Sequence, residues 1–262
     1  MTAEIIKFKK EESRGFVAGT LVHTDKGLVA IDQLKVGDMV LSRPENDSDA
    51  PNEYKRVVNT SKLAEKTTMY YVSYGMFTTD DAPGDRYLFC TKDHSFWVKR
   101  YLYEEDDKGH DLFENIGWIP ASEADGGESH HFETYNGHAA VIGQILSEGE
   151  RRFYGFLDDS QIAIPSVFSS GSGPLFDFRS GRPIAIGGGG MRLRSLSDIE
   201  NLAATEEQVI FSVSGDNPRE QFYSSLIPSF SDYEDYVYNL KIEGYHTYFV
   251  GQAGIWVGDA KP

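Results

Sequence analysis

Cysteine is nearly absent. Cys90 is the single thiol in 262 residues, so no disulfide can form within the chain, which fits a reducing compartment. Its expected place is as a buried free thiol in a strand. Basic charge is also scarce: 25 Lys and Arg stand against 41 Asp and Glu, for a formal net charge of -16. So acidic a chain lacks the Lys/Arg surface that neutralises phosphates, which argues against nucleic acid as a partner. Long apolar runs are missing as well. Nothing approaches the ~18 residues of a membrane helix, and Met1 to Lys10 has no signal-peptide core. The expectation is a cytoplasmic protein without a membrane partner, in which Asn46-Asp-Ser48 and Asn59-Thr-Ser61 match the glycosylation pattern by chance.

Aromatic residues are abundant, with 15 Tyr, 16 Phe and 3 Trp, and Gly occurs 26 times. That mixture favours strands and turns over helix bundles, and the length suffices for one large domain or two small ones. The expected class is all-β. Near the end of the chain, Val237 to Ile242 and Thr247 to Val250 alternate apolar and polar residues. Turn residues Glu243-Gly244 and Gly251-Gln-Ala-Gly254 separate the runs, and Ile255-Trp-Val257 reads as a third strand. Such a terminus needs a pairing partner, and the candidate is Gly15 to Thr24. From there the pattern is strand (Phe16 to His23), turn (Thr24 to Gly27), strand (Leu28 to Ile31), a turn or short helical piece (Asp32 to Asp38) and strand (Met39 to Ser42).

Arg43 to Tyr54 reads as an acidic surface loop. Val57 to Leu63 and Thr68 to Tyr74 read as strands, and Arg86 to Val98 as two strands around a corner at Lys92-Asp93. After about residue 122 the texture changes. Clusters such as Asp125 to His131, Ser169 to Pro174 and Gly187 to Gly190 appear, with one candidate helix at Ser195 to Thr205. The expected organisation is a tail at 1–14, a β domain at 15–259 interrupted by an insertion at about 123–232, and a tail at 260–262.

Three stretches taken in order resemble one family. Gly15-Phe-Val-Ala-Gly-Thr-Leu-Val with Gly37-Asp-Met-Val-Leu-Ser42, then Thr91-Lys-Asp-His94-Ser-Phe-Trp-Val with Gly117-Trp, then Tyr238-Asn-Leu with His246-Thr-Tyr-Phe-Val-Gly-Gln-Ala-Gly-Ile-Trp-Val257, are similar to the blocks of Hint (hedgehog/intein) domains. The flavour is that of Hint modules beside bacterial polymorphic toxins and Rhs-type proteins. The resemblance covers roughly residues 13–122 and 233–259. It implies an all-β horseshoe of hairpins in which both chain ends meet at a central site. It also implies site residues: Thr91 and His94 to polarise and protonate a scissile amide, His246 to assist, and Asp259 where the family's terminal Asn closes a ring on its own carbonyl. A Cys in the first block would be the nucleophile, because a thiolate attacks well near neutral pH.

The sequence departs from the pattern at the decisive positions. Gly15 stands at the family's Cys, and Gly258-Asp259 at its His-Asn. Losing the thiol forfeits an intramolecular advantage of about 7–11 kcal/mol. An ionised Asp259 closes a ring poorly, and Gly258 has no proton to give. The leading expectation is a degenerate, vestigial site in a binding or scaffolding module, with no cofactor and no metal. Its partner is then a protein, a toxin or secretion component with a basic surface to meet acidic runs such as Glu104 to Asp107 and Asp232 to Asp235. One alternative is residual self-cleavage, with Asp259 or water attacking under help from His94 and His246. Another is an active precursor trapped by substitution at Gly15 and Asp259.

Other signals point to surface. His130, His131 and His138 lie near Glu128 and Glu133 but match no metal-ligand spacing and read as a solvated loop. Ser169 to Leu175 resembles the nucleophile loop of trypsin-like proteases, yet aligned on Pro174 the nucleophile falls on Gly171. Gly187 to Gly190 lacks the Lys-Ser/Thr of a phosphate loop.

Overall fold

The computed structural model describes residues 14–76, 87–124, 129–137, 140–145, 153–156, 162–165, 175–177, 184–187 and 234–258. The protein is all-β, as the composition implies. The N-terminal strands come in the expected order, but the first begins at Leu21 rather than at Phe16, which forms only isolated bridges. β1 (Leu21–Thr24) and β2 (Gly27–Ala30) form a hairpin, a 3-10 turn at Ile31–Gln33 follows, and β3 (Met39–Ser42) returns. At the hairpin, the Thr24 hydroxyl donates to the Gly27 carbonyl (2.7 Å) and accepts from the Lys26 amide (3.0 Å), a local bond that closes the turn. Val22, Thr24, Val40 and Ser42 are buried while Leu21, His23, Met39 and Leu41 between them are half-buried, the period of two that a strand imposes.

Further strands are β4 (Glu53–Lys62), β5 (Thr67–Thr68), β6 (Tyr70–Met76), β7 (Tyr87–Cys90), β8 (Ser95–Glu105), β9 (Asp111–Pro120), β10 (His130–Phe132) and β11 (Ala140–Ile145). Four short strands follow, β12 (Phe153–Phe156), β13 (Ile162–Pro165), β14 (Leu175–Asp177) and β15 (Ile184–Gly187). The chain closes with β16 (Glu234–Asp235), β17 (Tyr238–Ile242), β18 (Thr247–Val250) and β19 (Ile255–Gly258). A 13-stranded sheet runs β17-β4-β3-β1-β18-β19-β8-β10-β11-β6-β7, with β2 on β1 and β9 on β8. The C-terminal strands β18 and β19 lie in the middle of that path and are buried at every position, which explains their almost unbroken apolar sequence. β18 takes β1 as partner, Val22 opposite Val250, so the expected pairing of the two termini is present. β17 and β18 are consecutive but do not pair with each other: β17 lies along β4 and β18 along β19.

The two ends of the path meet. Phe16 bridges to Tyr238 of β17 on one side and to Cys90 of β7 on the other. Its amide donates to the Tyr238 carbonyl (3.0 Å), the Tyr238 amide returns the bond to Phe16 (2.8 Å), and the Val17 amide donates to Phe89 (3.2 Å). Phe16 is wholly buried, and its ring meets His94, Phe96 and Tyr248 edge-on. Burial of such a ring stabilises by roughly 1.5–3 kcal/mol, which fastens a seam that two backbone bridges alone would hold weakly.

The chain divides into two compact units, residues 1–146 with 234–262, and residues 147–233. Within the second, β12 to β15 form a four-stranded antiparallel sheet in sequence order. The expected insertion starts at about 123, whereas β10 and β11 belong to the large sheet and the second unit begins at Ser147. The candidate helix at Ser195 to Thr205 lies outside the described residues. Cys90 is buried and free, and burial pushes its thiol pKa far up, so it is a poor nucleophile. Among the described residues, no helix is long and apolar enough to cross a membrane.

Candidate functional site

The seam brings three of the expected residues together. Thr91 directly follows β7, and Gly15 directly precedes Phe16, so the two Phe16 bridges place them side by side. The Gly15 amide donates to Thr91 Oγ1 (3.2 Å), and the Thr91 amide donates to the Gly15 carbonyl (3.0 Å). Thr91 therefore grips both backbone groups of Gly15. The tight turn Thr91 to His94, closed by the His94 amide on the Thr91 carbonyl (3.1 Å), carries the imidazole to the ring of Phe16. His94 and Phe16 rings meet with centroids 4.3 Å apart.

His94 is fully buried, and neither ring nitrogen has a hydrogen-bond partner. Burial, with a smaller contribution from the positive charge of Arg14, pushes its pKa down to about 3. At pH 7 only roughly one molecule in ten thousand then carries the imidazolium. Such a group is a poor proton donor to a leaving amine, and its weak basicity makes it a poor general base as well.

Gly15 has φ +148°, a conformation that side chains rarely adopt. A Cβ added there would overlap the Tyr238 carbonyl and lie 2.7 Å from Val237 Cγ1. The backbone at Gly15 is thus shaped for glycine, and the obstacle is mostly main chain, which has little room to give.

His246 immediately precedes β18, and Gly258 ends the neighbouring strand β19. Gly258 ends β19 opposite Ser95 of β8, and Thr247, next to His246, opposes Gly258. β19 therefore separates β18 from β8. At the usual strand spacing that puts His246 two strands, roughly 10 Å, from the His94 side of the sheet. His246 is half-buried with φ +50°, at the turn that opens β18. Gly258 is buried, and Asp259 lies outside the described residues.

Sequence reasoning missed Arg14, which it assigned to the loose tail at 1–14. Arg14 is only 8% exposed, and its Nε and Nη1 have no hydrogen-bond partner. Its position one residue before the first block was the available signal, but a flanking Arg in a charged leader looks like any surface arginine.

The expected solvated loop at His130 and His131 is instead a buried strand, β10, between β8 and β11. Adjacent strand residues point to opposite faces, so these two imidazoles cannot converge on one ion. The His131 ring packs on Phe113 and Tyr101, 5.3 and 5.8 Å away, and burial lowers its pKa. Glu133 is buried too, bound by Arg43 Nη1 (3.1 Å) and Lys99. His138 and Glu128 lie outside the described residues, as does the Ser169 to Pro174 loop. Among the described residues, no group of three or more His, Cys, Asp or Glu is placed to hold a metal ion.

No family model and no curated protein matches the chain. Among solved structures, the chain is similar to a bacterial intein-like domain from Clostridium thermocellum, at 17% identity and TM-score 0.47 over 94% of this chain and 98% of that one. It is also similar to a DnaB intein from Synechocystis sp. PCC 6803, at 10% identity and TM-score 0.45 over 95% of this chain and 100% of that one. A third likeness, at 13% identity and TM-score 0.39 over 94% of this chain and 98% of that one, is to the gp41-1 intein.

Proposed function

We propose that the chain is a Hint-type module that holds the two sides of the seam together without cutting, and that it serves as a binding or scaffolding domain in a bacterial toxin or secretion setting. The observation that carries this reading is Gly15. Its φ of +148° and the blocked Cβ direction leave no place for a nucleophile, while Thr91 still binds both of its backbone groups. The neutral, buried His94 supports the same reading, because it neither donates nor removes a proton readily near pH 7. The geometry also speaks against a Cys replaced by Gly in an otherwise unaltered active centre, since a thiol side chain needs a different backbone there.

The partner in this reading is a basic protein. Beyond Arg100, β8 runs on with β9 as its remaining partner, and this arm ends in the exposed carboxylates Glu104, Glu105 and Asp107. Attraction between that tip and a basic surface weakens as salt rises, with a screening length of about 10 Å at 0.1 M.

The test places the chain between two carrier domains and follows intact mass for days from pH 5 to 8. One unchanged mass is expected. Fragments ending at Arg14 and starting at Gly15, or ending at Asp259, would contradict the proposal, above all if Thr91→Ala or His94→Ala removed them.

A further inference from the structure

We propose that Arg14 and His94 form a binding site for a small carboxylate beneath the seam at Gly15. The inference deepens the reading above and rests on it, because the ligand is held at a centre that does not cut. Two independent observations point to a ligand. Arg14 is more than nine-tenths buried with Nε and Nη1 unpartnered, and His94 is completely buried with both ring nitrogens unpartnered. A guanidinium stays charged at any pH a protein survives, and a buried charge without a counterion is costly. A neutral imidazole still has one N–H to donate and one nitrogen to accept.

Both groups lie along the seam. Arg14 precedes Gly15, Gly15 is clasped by Thr91, and His94 closes the turn that Thr91 begins. The Arg14 charge is close enough to disfavour a second positive charge on His94. The site therefore offers a single positive charge, a planar fork of donors and one additional N–H. A carboxylate matches all three: it is a monoanion, it is planar, and it accepts two parallel bonds from a guanidinium. A phosphate dianion would leave a buried charge uncompensated.

The carboxylate has two sources. One is an outside molecule, a free acid or an acidic side chain of a partner. The other is the chain itself, since Asp259 is the first carboxylate after Gly258 in the sequence.

The experiment uses the full 262-residue chain labelled with 15N-histidine, and titrates acetate against chloride at constant ionic strength. His94 is assigned by its loss in His94→Gln. A saturable shift of the His94 ring signals is expected by about 100 mM acetate, where even a millimolar site fills. Saturation in the wild type indicates an outside source. Saturation only in Asp259→Asn indicates that the chain's own carboxylate fills the site. In either case Arg14→Gln should weaken acetate binding about ten-fold or more, and Arg14→Lys should recover part of the loss. Linear, unsaturable shifts in both the wild type and Asp259→Asn overturn the proposal, as does unchanged affinity in Arg14→Gln. The wild type and Asp259→Asn decide the matter even where an Arg14 variant fails to fold. A failed titration on an uncut chain removes the carboxylate site alone. Cleavage at Arg14/Gly15 removes the proposed function whatever the titration gives.

Discussion

Arg43 and Arg14 are buried to a similar degree, 5% and 8% exposed, yet their surroundings differ in kind. Arg43 donates through Nε to Asn52 Oδ1 (2.9 Å) and through Nη1 to the Ser48 carbonyl (2.7 Å) and Glu133 Oε1 (3.1 Å). Its guanidinium also lies over the rings of Trp256 and Phe249, with centroids 5.1 and 5.6 Å away. The Thr247 hydroxyl donates to the Arg43 carbonyl, so the same residue ties the loop after β3 to the start of β18. Arg14 has none of this. A buried charge paired with a carboxylate and bonded through Nε and Nη1 is part of the framework. One with Nε and Nη1 idle, on the same seam as an idle imidazole, fits the proposed binding site.

The largest expected effect comes from breaking the satisfied side of the comparison. Glu133→Ala removes the carboxylate shared by Arg43 and Lys99 and leaves a buried guanidinium uncompensated, which should cost about 3–5 kcal/mol in urea unfolding. Next comes the seam itself. Gly15→Ala forces a side chain into φ +148° and against the Tyr238 carbonyl, for an expected loss of about 2–4 kcal/mol by the same measurement. Gly15→Cys should be destabilised similarly and should remain uncut, which intact mass would show.

A smaller effect is pH-dependent. Above pH 6.5 His94 is neutral in both folded and unfolded chains and contributes no pH dependence. As the pH falls from 6.5 towards 3, the unfolded chain takes up a proton that the folded chain refuses, so the His94 contribution to stability falls by about 1.4 kcal/mol per pH unit. His94→Gln should leave the slope unchanged above pH 7 and flatten it between pH 6 and 4. Parallel curves for the two proteins across that range would mean that His94 is solvated or paired.

Much of the framework was legible in the sequence because it rests on local periodicity. The pattern in Phe16 to Ser42 and in Val237 to Val257 gave strands near their observed places, although the first begins at Leu21 and not at Phe16, and the block pattern named Gly15, Thr91 and His94, which the Phe16 bridges bring together. What escaped was set by distant contacts. His130 and His131 read as a polar loop, but β8 and β11 on either side make them core. Arg14 read as a tail because nothing in its neighbours signals burial, which arises only when Phe16 joins β17 to β7. The shape of the backbone at Gly15 is likewise invisible in a one-letter code, although it decides whether a nucleophile fits.

The central claim is that the seam keeps an uncompensated charge for a ligand while the Arg43 cluster serves the fold. The most direct test compares Arg14→Met with Arg43→Met in urea, in a buffer free of carboxylates. Arg43→Met should lose about 3 kcal/mol or more, whereas Arg14→Met should be neutral or gain about 1 kcal/mol, because replacing an unpaired buried charge by an apolar group relieves its desolvation. Equal losses in the two variants would contradict the claim.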